Sequence, residues 1–124
     1  MGTRGDVVLA VPLAGLLLVT GCASPGGQQV GRPQFINVWT SEFRFDPVNV
    51  TARANQPVRV TLNNRGTVVH DWVVQGLEQP VETRADPGQG ATLEFTPART
   101  GRFRVICAQP GHEQAGMVGQ LIIR

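Results

Sequence analysis

Residues 101–123 read GRFRVICAQPGHEQAGMVGQLII, two alternating apolar segments joined by a loop that contains proline and several glycines. In the first segment, Arg102 has the outward parity of a strand, so the opposite parity, which ends at Cys107, faces inward. In the second segment, Met117 has the parity of the apolar Leu121. The sequence therefore predicts two adjacent strands whose shared inner face carries Cys107 and Met117 at the two ends of the loop.

The chain has two histidines, and both belong to the same pattern. His112 lies in the loop between the two strands, whereas His70 lies upstream on an apolar stretch and has the inward parity of Trp72. A loop that joins two strand ends can bring Cys107, His112 and Met117 around one point, and His70 has the parity to face the same core.

A thiolate, two imidazoles and a thioether are a soft set of metal donors. One Cys and two His with a weak axial Met suit copper in electron transfer. Zinc could use the Cys and both His, but its structural sites want four strong ligands. Calcium and magnesium prefer oxygen ligands, which this set lacks. Each residue alone is most often simple core packing, but the joint spacing predicts a copper site. Its candidate ligands are His70, Cys107, His112 and Met117.

The chain from residue 34 onward also reads as strands. Short apolar alternations are separated by turn residues, and no segment keeps a helical period over three turns. The inward-facing positions of these alternations are Val48, Val50, Ala52, Val58, Val60, Leu62, Val68, Val74, Ala91, Leu93 and Phe95. We also expect Trp39 and Trp72 in the core. The pattern predicts an all-β sandwich or barrel.

Composition limits the classes of function. The 124 residues suffice for one domain, and the 15 Gly and 9 Pro with 16% charged residues argue against a helical bundle. All 11 basic residues are arginine, and the net charge is only +2, without a block of like charges. We therefore expect no nucleic-acid partner.

The N-terminal region is expected to be a targeting segment. Arg4 precedes an apolar run over residues 7–19 that is too short to span a bilayer permanently. Its end, Val-Thr-Gly-Cys22, resembles a bacterial lipobox, so we predict cleavage after residue 21 and lipidation of Cys22. Two alternatives stay open: an ordinary signal peptide cut further on, or a disulfide between Cys22 and Cys107.

The predicted organisation has three parts. Residues 1–21 are a lipoprotein signal peptide that is removed. Residues 22–33 are rich in Gly, Pro and Gln and form a flexible tether after the lipidated cysteine. Residues 34–124 form the folded domain.

The ligand loop resembles that of cupredoxins, the family of blue copper proteins. The resemblance rests on Cys107-x4-His112-x4-Met117 with Pro-Gly before the histidine, on residues 70–74 (HDWVV), and on the Phe-x-Phe-x-Pro opening at residues 43–47. It implies a Greek-key β-sandwich of about seven or eight strands, with one type 1 copper held by the four candidate ligands, Met117 being axial.

One residue beside the ligands departs from that family. Cupredoxins often have Asn directly after the first histidine, where it helps to fix the ligand loop by hydrogen bonds, and this chain has Asp71. A carboxylate near a thiolate is electrostatically different, so the tuning that Asn provides in the family is not carried over to Asp71.

The function predicted from these observations is a one-electron carrier rather than an enzyme. The solvent-side edge of His112 would be the electron port, rimmed by small or apolar loop residues, which are Pro110, Gly111, Ala115 and Gly116. The expected protein is a monomer tethered by its lipid to the outer or periplasmic face of a bacterial membrane. Its redox partners would be a cytochrome or an oxidase-type protein.

Other classes are weighed against the carrier. Copper storage, or delivery to a respiratory oxidase, remains the alternative, although such sites are often rich in Met or His and this chain lacks a run of either. A structural domain with vestigial ligands disagrees with the intact ligand set. A multicopper oxidase needs more histidines than the 2 present, and a binuclear copper domain needs two cysteines in the loop.

Overall fold

The structure is a computed structural model that describes residues 31–124 together with Met1, Gly2 and Gly5. Within this part of the chain there is no α-helix, and thus none long and apolar enough to cross a membrane. The strands are β1 (Gln34–Ser41), β2 (Arg44–Asp46), β3 (Asn49–Ala52), β4 (Val58–Asn64), β5 (His70–Val74), β6 (Val81–Ala85), β7 (Gly90–Phe95), β8 (Gly101–Ile106) and β9 (Val118–Ile123).

These strands form two mixed sheets. One has the order β2-β1-β4-β7, and the other has the order β3-β9-β8-β5-β6. Strand β1 runs parallel to β4, and β3 runs parallel to β9, whereas the other pairs are antiparallel. The chain passes between the sheets after β2, β3, β4, β6 and β7, and such crossovers are typical of a Greek-key sandwich. The predicted all-β sandwich is confirmed.

The core lies between the two sheets and follows the alternation of the sequence. Strand β4 has the burial pattern expected of a strand with one inner face, with Val58, Val60 and Leu62 all fully buried. Trp72 on β5 is also buried, at 2% exposure. Each such aliphatic side chain contributes roughly 1.5–3 kcal/mol on full burial, so this interior supplies a rigid frame for the ligand residues at one end of it.

The structure corrects several expectations. It has nine strands within residues 34–123, where the resemblance implied seven or eight. Val48 and Val68 have the inward parity but are 54% and 42% exposed, because each lies just outside a strand, where the alternation no longer applies. Trp39 is only half-buried: it sits on the outer parity of β1, and the Arg65 guanidinium lies 4.9 Å from its ring centroid.

The predictions for the N-terminal region concern residues most of which the structure does not describe. The predicted signal peptide apart from residues 1, 2 and 5, the predicted lipidation site Cys22 and residues 23–30 of the predicted tether lie outside the described residues. The first strand of the sandwich begins at Gln34.

Candidate metal centre

Three of the four candidate ligands meet at one end of the sandwich. His70 opens β5, Cys107 directly follows β8, and His112 lies in the loop between β8 and β9. Their donor atoms all lie within 4.8 Å of one another. The Cys107 Sγ is 4.0 Å from Nδ1 of His70 and 3.4 Å from Nδ1 of His112, so both imidazoles turn the same nitrogen toward the sulfur.

Backbone hydrogen bonds close the loop and bring Met117 to the same place. The Cys107 N–H donates to the Met117 carbonyl (3.2 Å), and the Met117 N–H donates to the His112 carbonyl (3.0 Å). The His112 N–H in turn donates to the carbonyl of Gln109 (3.1 Å). Met117 is fully buried. These main-chain hydrogen bonds therefore fix the backbone positions of the three loop ligands relative to one another.

Burial determines the charge of the donors. Cys107 and His70 are both fully buried. Burial raises the pKa of the Cys107 thiol, although the N–H of Asp71, 3.3 Å from Sγ, acts in the opposite direction. Burial also lowers the pKa of His70, and the neighbouring His112 adds to that effect. A bound metal cation would favour the thiolate form of Cys107 over the thiol, because metal binding displaces the thiol proton.

The approach to His70 is held by Asn64 at the end of β4. This side chain is 3% exposed, and its amide group donates to the carbonyls of Val68 (2.8 Å) and Ala85 (2.9 Å). Its Oδ1 accepts the N–H of Gly66 at 2.8 Å. One buried amide thus orders the loop that leads into the first ligand. No sequence motif singles out this residue.

Asp71 ties its strand to the ligand loop through Gln109. The Gln109 Nε2 donates to Oδ2 of Asp71 at 2.8 Å. An ionised carboxylate can only accept hydrogen bonds, so the loop must supply the donor, and the amide of Gln109 does so. The departure from Asn therefore retains a link between the first-ligand strand and the ligand loop, with the donor on the loop side.

His112 is the ligand candidate nearest to solvent. It is partly exposed, and the surrounding Pro110, Gly111, Ala115 and Gly116 are all exposed, as expected for the rim. The structure adds Phe43, from the turn between β1 and β2. Its ring meets that of His112 edge-on at 4.8 Å between centroids, and it is 43% exposed. The edge of the site is thus apolar.

Glu42, beside Phe43, is a further residue that sequence reasoning missed. Its Oε1 accepts hydrogen bonds from the Thr67 N–H (2.6 Å), the Thr67 hydroxyl (3.2 Å) and the Val68 N–H (3.1 Å). Backbone hydrogen bonds lower the pKa of Glu42 to about 2. No motif marks this residue, because it is 28 positions from His70 in sequence.

The residues present fit a copper ion. Two imidazole nitrogens and one sulfur converge in a preformed and largely buried cluster, and the buried Met117 is joined to Cys107 through the backbone. This is the donor set of blue-copper sites, and it offers no oxygen ligands to a hard cation.

A family model of the cupredoxin-like domain matches residues 9–123. The chain belongs to the cupredoxin family. The structure of auracyanin from Roseiflexus castenholzii has the same fold, with a TM-score of 0.67 at 20% identity, covering 73% of this chain and 97% of that one. Auracyanin A from Chloroflexus aurantiacus, a blue copper protein, gives a TM-score of 0.66 at 24% identity, covering 74% and 99%.

One curated relative of this cupredoxin carries a name that mentions copper. The Copper-resistant cuproprotein CopI of Rubrivivax gelatinosus is 34% identical over 107 residues, which is 70% of this chain. The match spans 64% of the relative's own length. The cupredoxin fold with His70, Cys107, His112 and Met117 arranged about one point makes copper the cofactor and the protein a type 1 copper protein, as the sequence predicted.

Proposed function

We propose that this cupredoxin is a one-electron carrier on the extracytoplasmic side of the membrane, whose copper would be held by His70, Cys107, His112 and Met117. The observation that carries the proposal is the preformed donor cluster, in which main-chain hydrogen bonds fix the loop ligands. Bound copper supplies the Cu(I)/Cu(II) couple. A rigid protein frame keeps the donors in similar positions in both states, so little reorganisation opposes electron exchange.

The surface of the site supports the same function. Only His112 among the four proposed ligands reaches solvent, and it does so through an apolar rim that includes Phe43. Such an edge lets a redox partner, of cytochrome or oxidase type, approach one imidazole without reaching the buried donors. We propose that the protein docks as a monomer.

Electrochemistry tests the proposal directly. The copper-loaded protein adsorbed on an electrode is expected to give one reversible one-electron wave, and its absorption band should bleach on reduction and return on oxidation. An irreversible wave, with copper lost on reduction, would argue against a carrier.

Copper resistance is the second candidate, because a curated relative with 34% identity is named for it. In that role the protein would bind copper for storage or hand it to another protein. The donor set serves either role, so the rate of copper release separates the two.

Replacement of Met117 by leucine tests the axial role. Leucine has a similar volume, so the free energy of unfolding should fall by less than about 1.5 kcal/mol. Copper and colour should remain, and the reduction potential should rise, because losing a weak thioether donor costs Cu(II) more than Cu(I). Voltammetry measures the shift. Loss of all copper in this variant would show that the axial assignment is wrong.

We also propose that Cys22 is lipidated and anchors the protein. Full-length protein made in a bacterium should partition into detergent and incorporate labelled fatty acid, and Cys22→Ala should abolish both. Colour should persist in Cys22→Ala, because the copper donors are untouched. Mass spectrometry that found Cys22 disulfide-bonded to Cys107 would overturn the anchor and the copper site together.

A further inference from the structure

Glu42 reaches the loop in front of His70 from the other sheet. It lies in the turn between β1 and β2, and one of its carboxylate oxygens accepts all three hydrogen bonds from Thr67 and Val68. These bonds come from two backbone N–H groups and one hydroxyl, so they hold the oxygen in one place. The carboxylate is therefore a fixed charge beside the entrance to β5.

The same oxygen of Glu42 faces Nε2 of His70, which is the ring nitrogen that does not face the Cys107 sulfur. Oε1 of Glu42 lies 3.7 Å from Nε2 of His70, which is buried and has no hydrogen-bond partner among the described residues. The other nitrogen, Nδ1, faces the Cys107 sulfur. If Nδ1 is the metal donor, the neutral imidazole must carry its proton on Nε2. A buried N–H without an acceptor is costly. The Glu42 carboxylate is beyond hydrogen-bond distance at 3.7 Å, but it is a charged acceptor that faces Nε2 and needs only a small approach to take up its hydrogen bond.

The neighbouring carboxylate does not compete for this role. Asp71 is adjacent in sequence, but its Oδ2 accepts the amide of Gln109 in the ligand loop. Gly66 supplies the room that Glu42 needs, because a Cβ atom at that position would lie 2.5 Å from the Glu42 Oε1. Both observations leave Glu42 as the group that faces Nε2.

We propose that Glu42 is a positioning residue of the copper site, whose carboxylate accepts a hydrogen bond from the Nε2–H of His70 when that ring is a ligand and so fixes its tautomer and orientation. The inference rests on the proposed ligand role of His70. A carboxylate behind a ligating imidazole makes the imidazole a stronger donor. Its negative charge also favours Cu(II) over Cu(I), so Glu42 lowers the reduction potential of this protein.

Glu42→Gln in the full-length protein isolates the charge. Glutamine has the same shape, and its amide oxygen can still accept from Thr67 and Val68. We expect the affinity for Cu(II) to fall about 10- to 100-fold, with a smaller change for Cu(I). Competition with chelators measures both affinities. The ratio of the Cu(II) affinity to the Cu(I) affinity should fall, and the reduction potential should rise accordingly. Glu94→Gln, which removes an exposed carboxylate on β7, is the matched control and should leave the ratio unchanged.

Gly66→Ala gives a second, independent variant, since it keeps Glu42 but displaces its carboxylate. Gly66 has no positive φ, so alanine adds no backbone strain there. The affinity for Cu(II) relative to that for Cu(I) should fall, as in Glu42→Gln. NMR should show that the Nε2–H proton of His70 exchanges slowly with solvent in the metal-free and Cu(I) proteins. Gly66→Ala should make this exchange faster.

Two results would overturn the inference, and they differ in what else they affect. If both variants lose stability but keep the wild-type ratio of copper affinities, Glu42 only secures the loop, and the proposed ligands stand. If His70→Ala binds copper with unchanged colour and affinity, His70 is not a ligand, and the proposed site fails together with the role of Glu42.

Discussion

Replacing Cys107 with serine is expected to abolish the intense visible absorption of the copper-loaded protein. The band requires charge transfer from a thiolate to copper. Among the residues that the structure describes, Cys107 supplies the thiol, and its sulfur faces both imidazoles. A serine hydroxyl is a hard, weakly acidic donor and cannot replace a thiolate. An absorption spectrum at equal protein concentration measures the loss.

The fold should survive this substitution, which makes the result interpretable. Serine is close to cysteine in size, and its hydroxyl can accept the N–H of Asp71 that now points at the sulfur. We expect the free energy of unfolding to change by about 1 kcal/mol. Cys22→Ala is the matched control and should keep the full band. A Cys107→Ser protein that retained the band would refute the assignment of the thiolate.

Copper is expected to stabilise the protein strongly against thermal unfolding. At a free Cu(I) concentration of a thousand dissociation constants, a site present only in the folded state contributes about 4 kcal/mol. For a domain of this size that corresponds to a rise of roughly 15–30 °C in Tm. The physical reason is that the buried thiol and imidazole of Cys107 and His70 gain a partner on binding.

Anaerobic differential scanning calorimetry with and without Cu(I) measures this effect. Binding of copper to the unfolded chain through the same Cys and His side chains would reduce the shift without removing it. Cys107→Ser should show a much smaller rise, which serves as the control. If copper leaves the wild-type Tm unchanged, the donor cluster is not a resident metal site.

The candidate site could be predicted from sequence wherever a ligand sits on, or at the end of, a regular strand. The parity of Trp72 placed His70 inside, and the parity of Arg102 placed Cys107 inside, because side chains alternate strictly across an extended strand. The same rule failed for Val48 and Val68, since each lies in a bend or loop just before its strand. Alternation predicts burial only while the chain stays extended.

The residues that hold the ligands in place could not be predicted in this way. Glu42 acts across the two sheets, and its partners become visible only when the turn after β1 is placed beside the loop before β5. Gln109 was visible only as a loop residue, although the carboxylate of Asp71 already required a donor nearby. Long-range hydrogen bonds of this kind leave no periodic signal in the sequence.

One mixing experiment tests the central claim, that the protein moves electrons and keeps its copper. The oxidised, copper-loaded protein is mixed with a reduced cytochrome, and the Cu(I) form is mixed separately with a Cu(I)-binding acceptor protein. Absorbance follows the electrons, and separation of the proteins followed by metal analysis follows the copper. If the protein is a carrier, its absorption band should bleach rapidly on mixing with the cytochrome and return on reoxidation. Its copper should remain bound in the presence of the acceptor protein. Transfer of copper to the acceptor within minutes, with sluggish electron exchange, would contradict the carrier and favour delivery or resistance.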